Sequence, residues 1–184
     1  CGDGWIKIRK EKNRKNAIHY EIRIFQKNLE LAKRIVRLFK KEFNITPTIK
    51  EGKGCFYVQI KNKPVCLNLI SLGNYGGLEW NIPKNLNKEF LIEWIKCFFD
   101  CEAYVNHVSR TIQVKSINHD GLVNIQKALE VLGINSRVYG PYKQKSKKHN
   151  DYSMLTILKN EVIKYKNLIN FYHPDRRKKL NDIV

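Results

Sequence analysis

The strongest constraint on this chain is that its order of periodicities occurs twice. Phe43-Asn44-Ile45 leads into a predicted hairpin, and Leu132-Gly133-Ile134 does the same. Tyr57-Val58-Gln59-Ile60-Lys61-Asn62 matches Leu155-Thr156-Ile157-Leu158-Lys159-Asn160 in pattern. A tandem duplication accounts for both, and a duplicated chain folds as two like halves.

The elements follow from where the apolar period changes. Trp5 to Arg9 alternates, with Ile6 and Ile8 on one side, and Ile18, Tyr20, Ile22 and Ile24 alternate against His19, Glu21, Arg23 and Phe25, so a first hairpin is expected. From Leu29 the spacing becomes helical (Leu29, Leu31, Ile35, Val36, Leu38, Phe39, Phe43), with Asn28 as N-cap. A hairpin around Gly52 and Gly54 and a short helix after Pro64 complete the first half. Residues 73–87, with Gly73, Gly76, Gly77 and Pro83, read as a connector between a repeat at 1–72 and one at 88–184. The second repeat is expected to run as a helix over Lys88 to Glu102, a hairpin to Lys115, a helix near Asp120 to Leu132, strands at Ser136 to Tyr142 and Tyr152 to Leu158, and a helix near Asn160 to Phe171. The first half matches this order if a helix stands before Asp3, so some ten apolar-rich residues are expected upstream of Cys1.

Charge narrows the partner. Against 35 Lys+Arg stand 17 Asp+Glu, a formal net charge of +18, which points to a polyanion. No apolar run is long enough for a membrane span and no signal-peptide pattern opens the chain, so no membrane partner is expected. Five cysteines, an odd number without a C-x-x-C pair, fit a reducing cytoplasm. Cys97 and Cys101, four apart on one helix face, are better read as small residues that let helices approach than as zinc ligands.

The basic residues fall where a duplex could be gripped. One strand face of the first half carries Lys7, Arg9 and Arg23, and one of the second carries Arg110, Gln113 and Lys115; these are candidates for reading base edges in a major groove. Two Lys-rich turns, with Lys10, Lys12, Arg14 and Lys15 in one and Lys143, Lys145, Lys147 and Lys148 in the other, are the candidate phosphate contacts.

Two acids occupy matching places. Asp3 follows Cys1-Gly2 directly before a strand, and Glu102 ends Ile95-Lys96-Cys97-Phe98-Phe99-Asp100-Cys101-Glu102. A carboxylate at a helix C-terminus faces the negative end of the helix dipole, at a cost of about 0.3 to 1 kcal/mol. A divalent cation reverses that sign, so two such ends would share a hard-oxygen metal site suited to phosphodiester hydrolysis.

These residues resemble the motif of the LAGLIDADG homing endonucleases: Ile95 to Ala103 lies over its nine positions, with departures at Cys97 and Ala103, and Cys1 to Gly4 over the last four. The resemblance implies an α+β fold of two αββαββα repeats in a pseudo-twofold arrangement, with antiparallel sheets forming a DNA-binding saddle. It further implies Mg²⁺ or Mn²⁺ bound by Asp3 and Glu102, and a catalytic role for Gln26 and Lys27. The expected function is site-specific hydrolysis of both strands of double-stranded DNA at a long target by a monomer. The alternatives are a splicing maturase bound to structured intron RNA, a DNA-binding regulator, or the endonuclease part of an intein. The family favours Gly at Cys97 and Ala103; it also favours a basic residue where this chain has Val105, whereas the first half keeps Gln26 and Lys27, so a slower cut on one strand is expected.

Overall fold

The computed structural model describes residues 4–10, 18–73, 78–143 and 150–184. Contacts divide the chain into two compact units, the first ending at Tyr75 and the second running from Gly76 to Val184. Asp3, Lys12, Arg14, Lys15, Lys145, Lys147 and Lys148 lie outside the described residues.

The first unit contains strand β1 (Gly4–Lys10), β2 (Ile18–Gln26), helix α1 (Leu29–Phe43), β3 (Thr48–Gly52), β4 (Cys55–Ile60) and α2 (Lys63–Ser71). The strands form one antiparallel sheet in the order β1-β2-β4-β3. Asn28 caps α1, its side chain accepting the N–H groups of Glu30 and Leu31, and Asn44 ends the helix in a left-handed conformation at φ 52°. Asn62 caps α2 in the same way, one residue before Lys63 and Pro64 open the helix. The register places Ile22, Ile24, Val58 and Ile60 on one sheet face, and there they pack with Ala32, Phe39, Val65 and Cys66 from the helices.

The second unit contains α3 (Lys88–Glu102), β5 (Ala103–Asn106), β6 (Thr111–Ser116), α4 (His119–Val131), β7 (Ser136–Tyr142), β8 (Tyr152–Ile157), α5 (Val162–Leu168) and α6 (Pro174–Asn181). Its antiparallel sheet has the order β5-β6-β8-β7, the same connectivity as the first. The α+β class and the two repeated halves are therefore present. Side chains that alternate inward from the sheet (Val105, Ile112, Val114, Leu155, Ile157) meet Ile95, Phe99, Leu122, Ile125 and Tyr165 in one core.

Three features differ from the sequence expectation. The last long helix is a single 3₁₀ turn, Lys159–Glu161, followed by α5, and it stops at Leu168. A further helix, α6, then begins at Pro174; its sequence PDRRKKLN has no apolar stripe, and within it only Leu180 is buried. Trp80, in the stretch with no apolar period, is 5% exposed and packs on Phe98, ring centroids 4.6 Å apart, while its carbonyl accepts the Asn118 Nδ2 at 2.7 Å. Asn118 also caps α4 through the Gly121 N–H, so one side chain starts that helix and ties down the incoming segment.

Candidate active site and nucleic-acid face

Helix α3 ends at Glu102 because the chain turns directly into β5, and the Ala103 N–H still bonds the Phe99 carbonyl. Glu102 is exposed there, and the last turn of α3 carries no basic residue. Asp100, two residues earlier, points the other way. It is 7% exposed, and its carboxylate accepts the backbone N–H of Tyr172 at 3.0 Å and that of His173 at 2.9 Å. Burial pushes its carboxyl above the usual range, against the opposing pull of those two bonds and of Arg176. Asp100 thus holds the segment that follows α5, and Glu102 is exposed on the same turn.

Arg176 completes the corner. Its Nε donates to the Ala103 carbonyl at 2.8 Å, one terminal nitrogen donates to the Cys101 carbonyl at 3.1 Å, and the other donates to the Asp100 carbonyl. The Tyr172 hydroxyl donates to Glu93 Oε2 at 2.6 Å, and Lys96 Nζ sits 4.7 Å from the Tyr172 ring centre, which fastens the same segment to the side of α3. The sequence reading assigned none of these roles. The spacing of Arg176 from the motif carries no periodic signal, and only the fold joins residues more than seventy positions apart.

The donor chemistry at Glu102 suits a hard divalent ion, as one exposed carboxylate at the negative end of a helix. Among the described residues no group of three His, Cys, Asp or Glu side chains could hold a metal ion, and Cys97 and Cys101 are not joined in a disulfide. In the first unit Gln26 is the last residue of β2, half-buried and paired with Phe56, and Lys27 follows it, exposed, just before the Asn28 cap.

The sheet faces turned away from the helices are polar and aromatic. In the first, the register sets Trp5 opposite Arg23, Lys7 opposite Glu21 and Gln59 opposite Arg23. Lys7 and Arg23 flank the Trp5 ring at 4.6 and 5.1 Å from its centre. Arg9, Lys10, Arg23 and Lys61 border an open depression of about 540 Å³ with His19, Tyr20 and Glu21; Lys61 had no assigned role in the sequence. Glu21 is only 3% exposed, because Arg9, Arg23 and Gln59 fold over it. On the second sheet Gln113 stands opposite Tyr104 and Thr156, Lys115 lies 5.4 Å from the Tyr152 ring centre, and Arg137 is opposite Thr156. Arg137, exposed on that face, was not among the sequence candidates.

Two positions differ from their expected places. Arg110 is not on the strand face but in the β5–β6 turn, at φ 51°, next to the first residue of β6. Val105 faces the core, 1% exposed, since alternation along β5 turns Tyr104 and Asn106 outward instead. A basic side chain at position 105 would point into the core and not toward a substrate.

The model of the LAGLIDADG-like domain family matches residues 1–71 and 89–170. This chain belongs to the LAGLIDADG-like family. Its fold is that of solved LAGLIDADG homing endonucleases. I-DmoI in complex with DNA and Ca aligns with a TM-score of 0.72 at 19% identity, over 98% of this chain and 91% of that one. I-LtrWI bound to target DNA aligns at 0.59 and 15% identity, over 99% and 84%. Among curated relatives, a DNA polymerase of Methanocaldococcus jannaschii is 28% identical over 167 residues, and a glutamine–fructose-6-phosphate aminotransferase of the same organism is 26% identical over 172. In each, 89% of this LAGLIDADG-like chain is matched, yet it spans only 10% and 16% of those relatives' lengths.

Proposed function

We propose that this chain is a site-specific endonuclease that hydrolyses both strands of a long double-stranded DNA target with Mg²⁺ or Mn²⁺. The observation that carries the reading is the Glu102 carboxylate, exposed at the last residue of the motif helix in a family member whose structural relatives include I-DmoI in complex with DNA and Ca or Mn. Glu102, and Asp3 as the corresponding acid of the first repeat, would hold the ion. When bound, it supplies Lewis-acid stabilisation of charge on the scissile phosphate. Gln26 orients water, and the Lys27 ammonium stabilises developing charge in the first half.

The polar sheet faces bind the duplex. Lys7, Arg9 and Arg23 of the first sheet, and Gln113, Lys115 and Arg137 of the second, reach base edges, while Lys10, Arg110 and Lys143 hold phosphates together with the remaining lysines of the two turns. The interleaving of Trp5, Tyr57 and Tyr152 with these cations keeps long side chains extended across the face.

The same stretch recurs within two much longer relatives that are named for unrelated reactions. That supports a mobile segment carried inside host genes, an intein among the options, over a working part of either enzyme. A cleavage selection on randomised duplexes in Mg²⁺ or Mn²⁺ tests the activity. One long site cut on both strands is expected, and Glu102→Gln should bind that site with unchanged affinity and fail to cut it. Specific duplex binding without cutting would instead make the chain a regulator, and preference for a structured intron RNA would make it a maturase.

A further inference from the structure

We infer that Arg176 is a positioning residue for the Glu102 carboxylate, an inference that rests on the metal-binding role proposed for Glu102. A helix ends with carbonyls that have no partner inside it, and a carboxylate added there is disfavoured by the dipole. Arg176 answers both needs at once. Its guanidinium donates to the carbonyls of Asp100, Cys101 and Ala103: the Cys101 carbonyl belongs to the peptide that enters Glu102, and the Ala103 carbonyl lies one peptide beyond the one that leaves it.

Three bonds from one planar fork fix more than three separate contacts would. The fork is rigid, so the carbonyls of residues 101 and 103 are held in one orientation relative to each other. The Cys101 carbonyl bond fixes the peptide plane before Glu102, the Ala103 N–H bond to the Phe99 carbonyl fixes the plane after it, the Ala103 carbonyl bond anchors the next peptide, and together these set the direction in which the Glu102 side chain leaves the helix-to-strand corner. The guanidinium also brings a positive charge to the negative end of α3.

Fastening of the C-terminal segment does not by itself require Arg176. The Asp100 carboxylate already takes the amides of Tyr172 and His173, and the Tyr172 hydroxyl takes Glu93. Helix α6 adds Leu180 to the core, and Arg177 holds the Phe171 carbonyl. The three bonds of Arg176 go to the corner instead, past a buried acid two residues from Glu102.

A double-mutant cycle on the full chain tests the assignment, with Tb³⁺ luminescence as the readout, since that ion prefers hard oxygen ligands and needs no cleavage. Glu102→Gln identifies the binding component that belongs to Glu102. Arg176→Lys keeps the charge and removes the fork, and should weaken that component roughly tenfold, the scale typical of residues that orient a ligand. In the Glu102→Gln background it should change nothing further. Tyr172→Phe, which loosens the same segment elsewhere, should lower the melting midpoint and leave Tb³⁺ affinity unchanged.

An Arg176→Lys chain with wild-type Tb³⁺ affinity would overturn the inference. So would an equal loss in both backgrounds, or an Arg176→Lys chain with no folding transition, because either marks a role in folding alone. If Glu102→Gln itself left Tb³⁺ binding intact, the metal role of Glu102 would fail first, and the positioning role with it.

Discussion

Glu21 and Arg23 stand two residues apart on β2 and are joined side chain to side chain, the Arg23 Nε donating to Glu21 Oε1 at 2.8 Å. Arg9 approaches the other oxygen at 3.5 Å, and the Gln59 amide donates as well. The sheet face proposed to meet the duplex therefore carries an acid that partly neutralises two of its arginines and holds them in place. Arg9 is 63% exposed at its side chain, so its pair contributes little to stability, whereas the Arg23 and Gln59 bonds meet a covered carboxylate.

Glu21 makes the stability of the first unit depend on acid. Burial raises its pKa, but the bonds from Gln59 and Arg23 and the charges of Arg23 and Arg9 outweigh that and hold it below 4.5. A carboxyl depressed on folding contributes stability that is present above its unfolded pKa and lost as pH falls through the folded one. Denaturant melts above and below pH 4.5 should show that loss, and Glu21→Gln should flatten it. An identical acid dependence in the variant would place its origin elsewhere.

Duplex affinity should fall steeply with salt, with a log–log slope near about −5 to −9 for on the order of six to ten phosphate contacts. Lys7→Ala should flatten the slope by about 1 if Lys7 meets a phosphate, and relax sequence preference instead if it reads a base edge. Glu21→Gln should steepen it, since two arginines lose their internal counter-ion. Fluorescence anisotropy across a salt series measures all three.

Gly121→Ala should lower the melting midpoint. A Cβ there would stand 2.7 and 2.8 Å from the Trp80 ring and 2.7 Å from Asn118 Nδ2, closer than real contacts allow. Overpacking of this kind costs about 1–3 kcal/mol. Trp80→Phe in the same chain should recover part of the loss, and no recovery would show that the clash is relieved in another way.

Val105→Lys should unfold the second unit more readily and give no gain in cleavage. The side chain is 1% exposed against Ile112 of the neighbouring strand, and an unpaired ammonium there costs about 3 kcal/mol or more. Calorimetry on Val105→Lys and Val105→Thr separates burial of charge from loss of packing. Faster cutting of one strand by a stably folded Val105→Lys would show that the lysine escapes the core.

Much of this protein is written locally. Alternation in Ile18 to Gln26 and the helical spacing from Leu29 to Phe43 specify those elements because each repeats its apolar side chains at the period of its backbone. The duplicated order and the position of Glu102 at the end of α3 are legible for the same reason. What the sequence does not carry is anything made by contacts between distant positions. Tertiary structure alone decides that Val105 faces the core, that Trp80 lies against Gly121, that Glu21 is covered by Arg9, Arg23 and Gln59, and that Arg176 holds the corner beside Glu102. α6 belongs to the same class: with one buried residue and a polar sequence it has no face of its own, and it is held by Arg176 and Arg177 bonding carbonyls of other segments. A helical or alternating stripe is a property of neighbours in the chain, whereas a guanidinium finding three carbonyls more than seventy residues away exists only after the chain has folded.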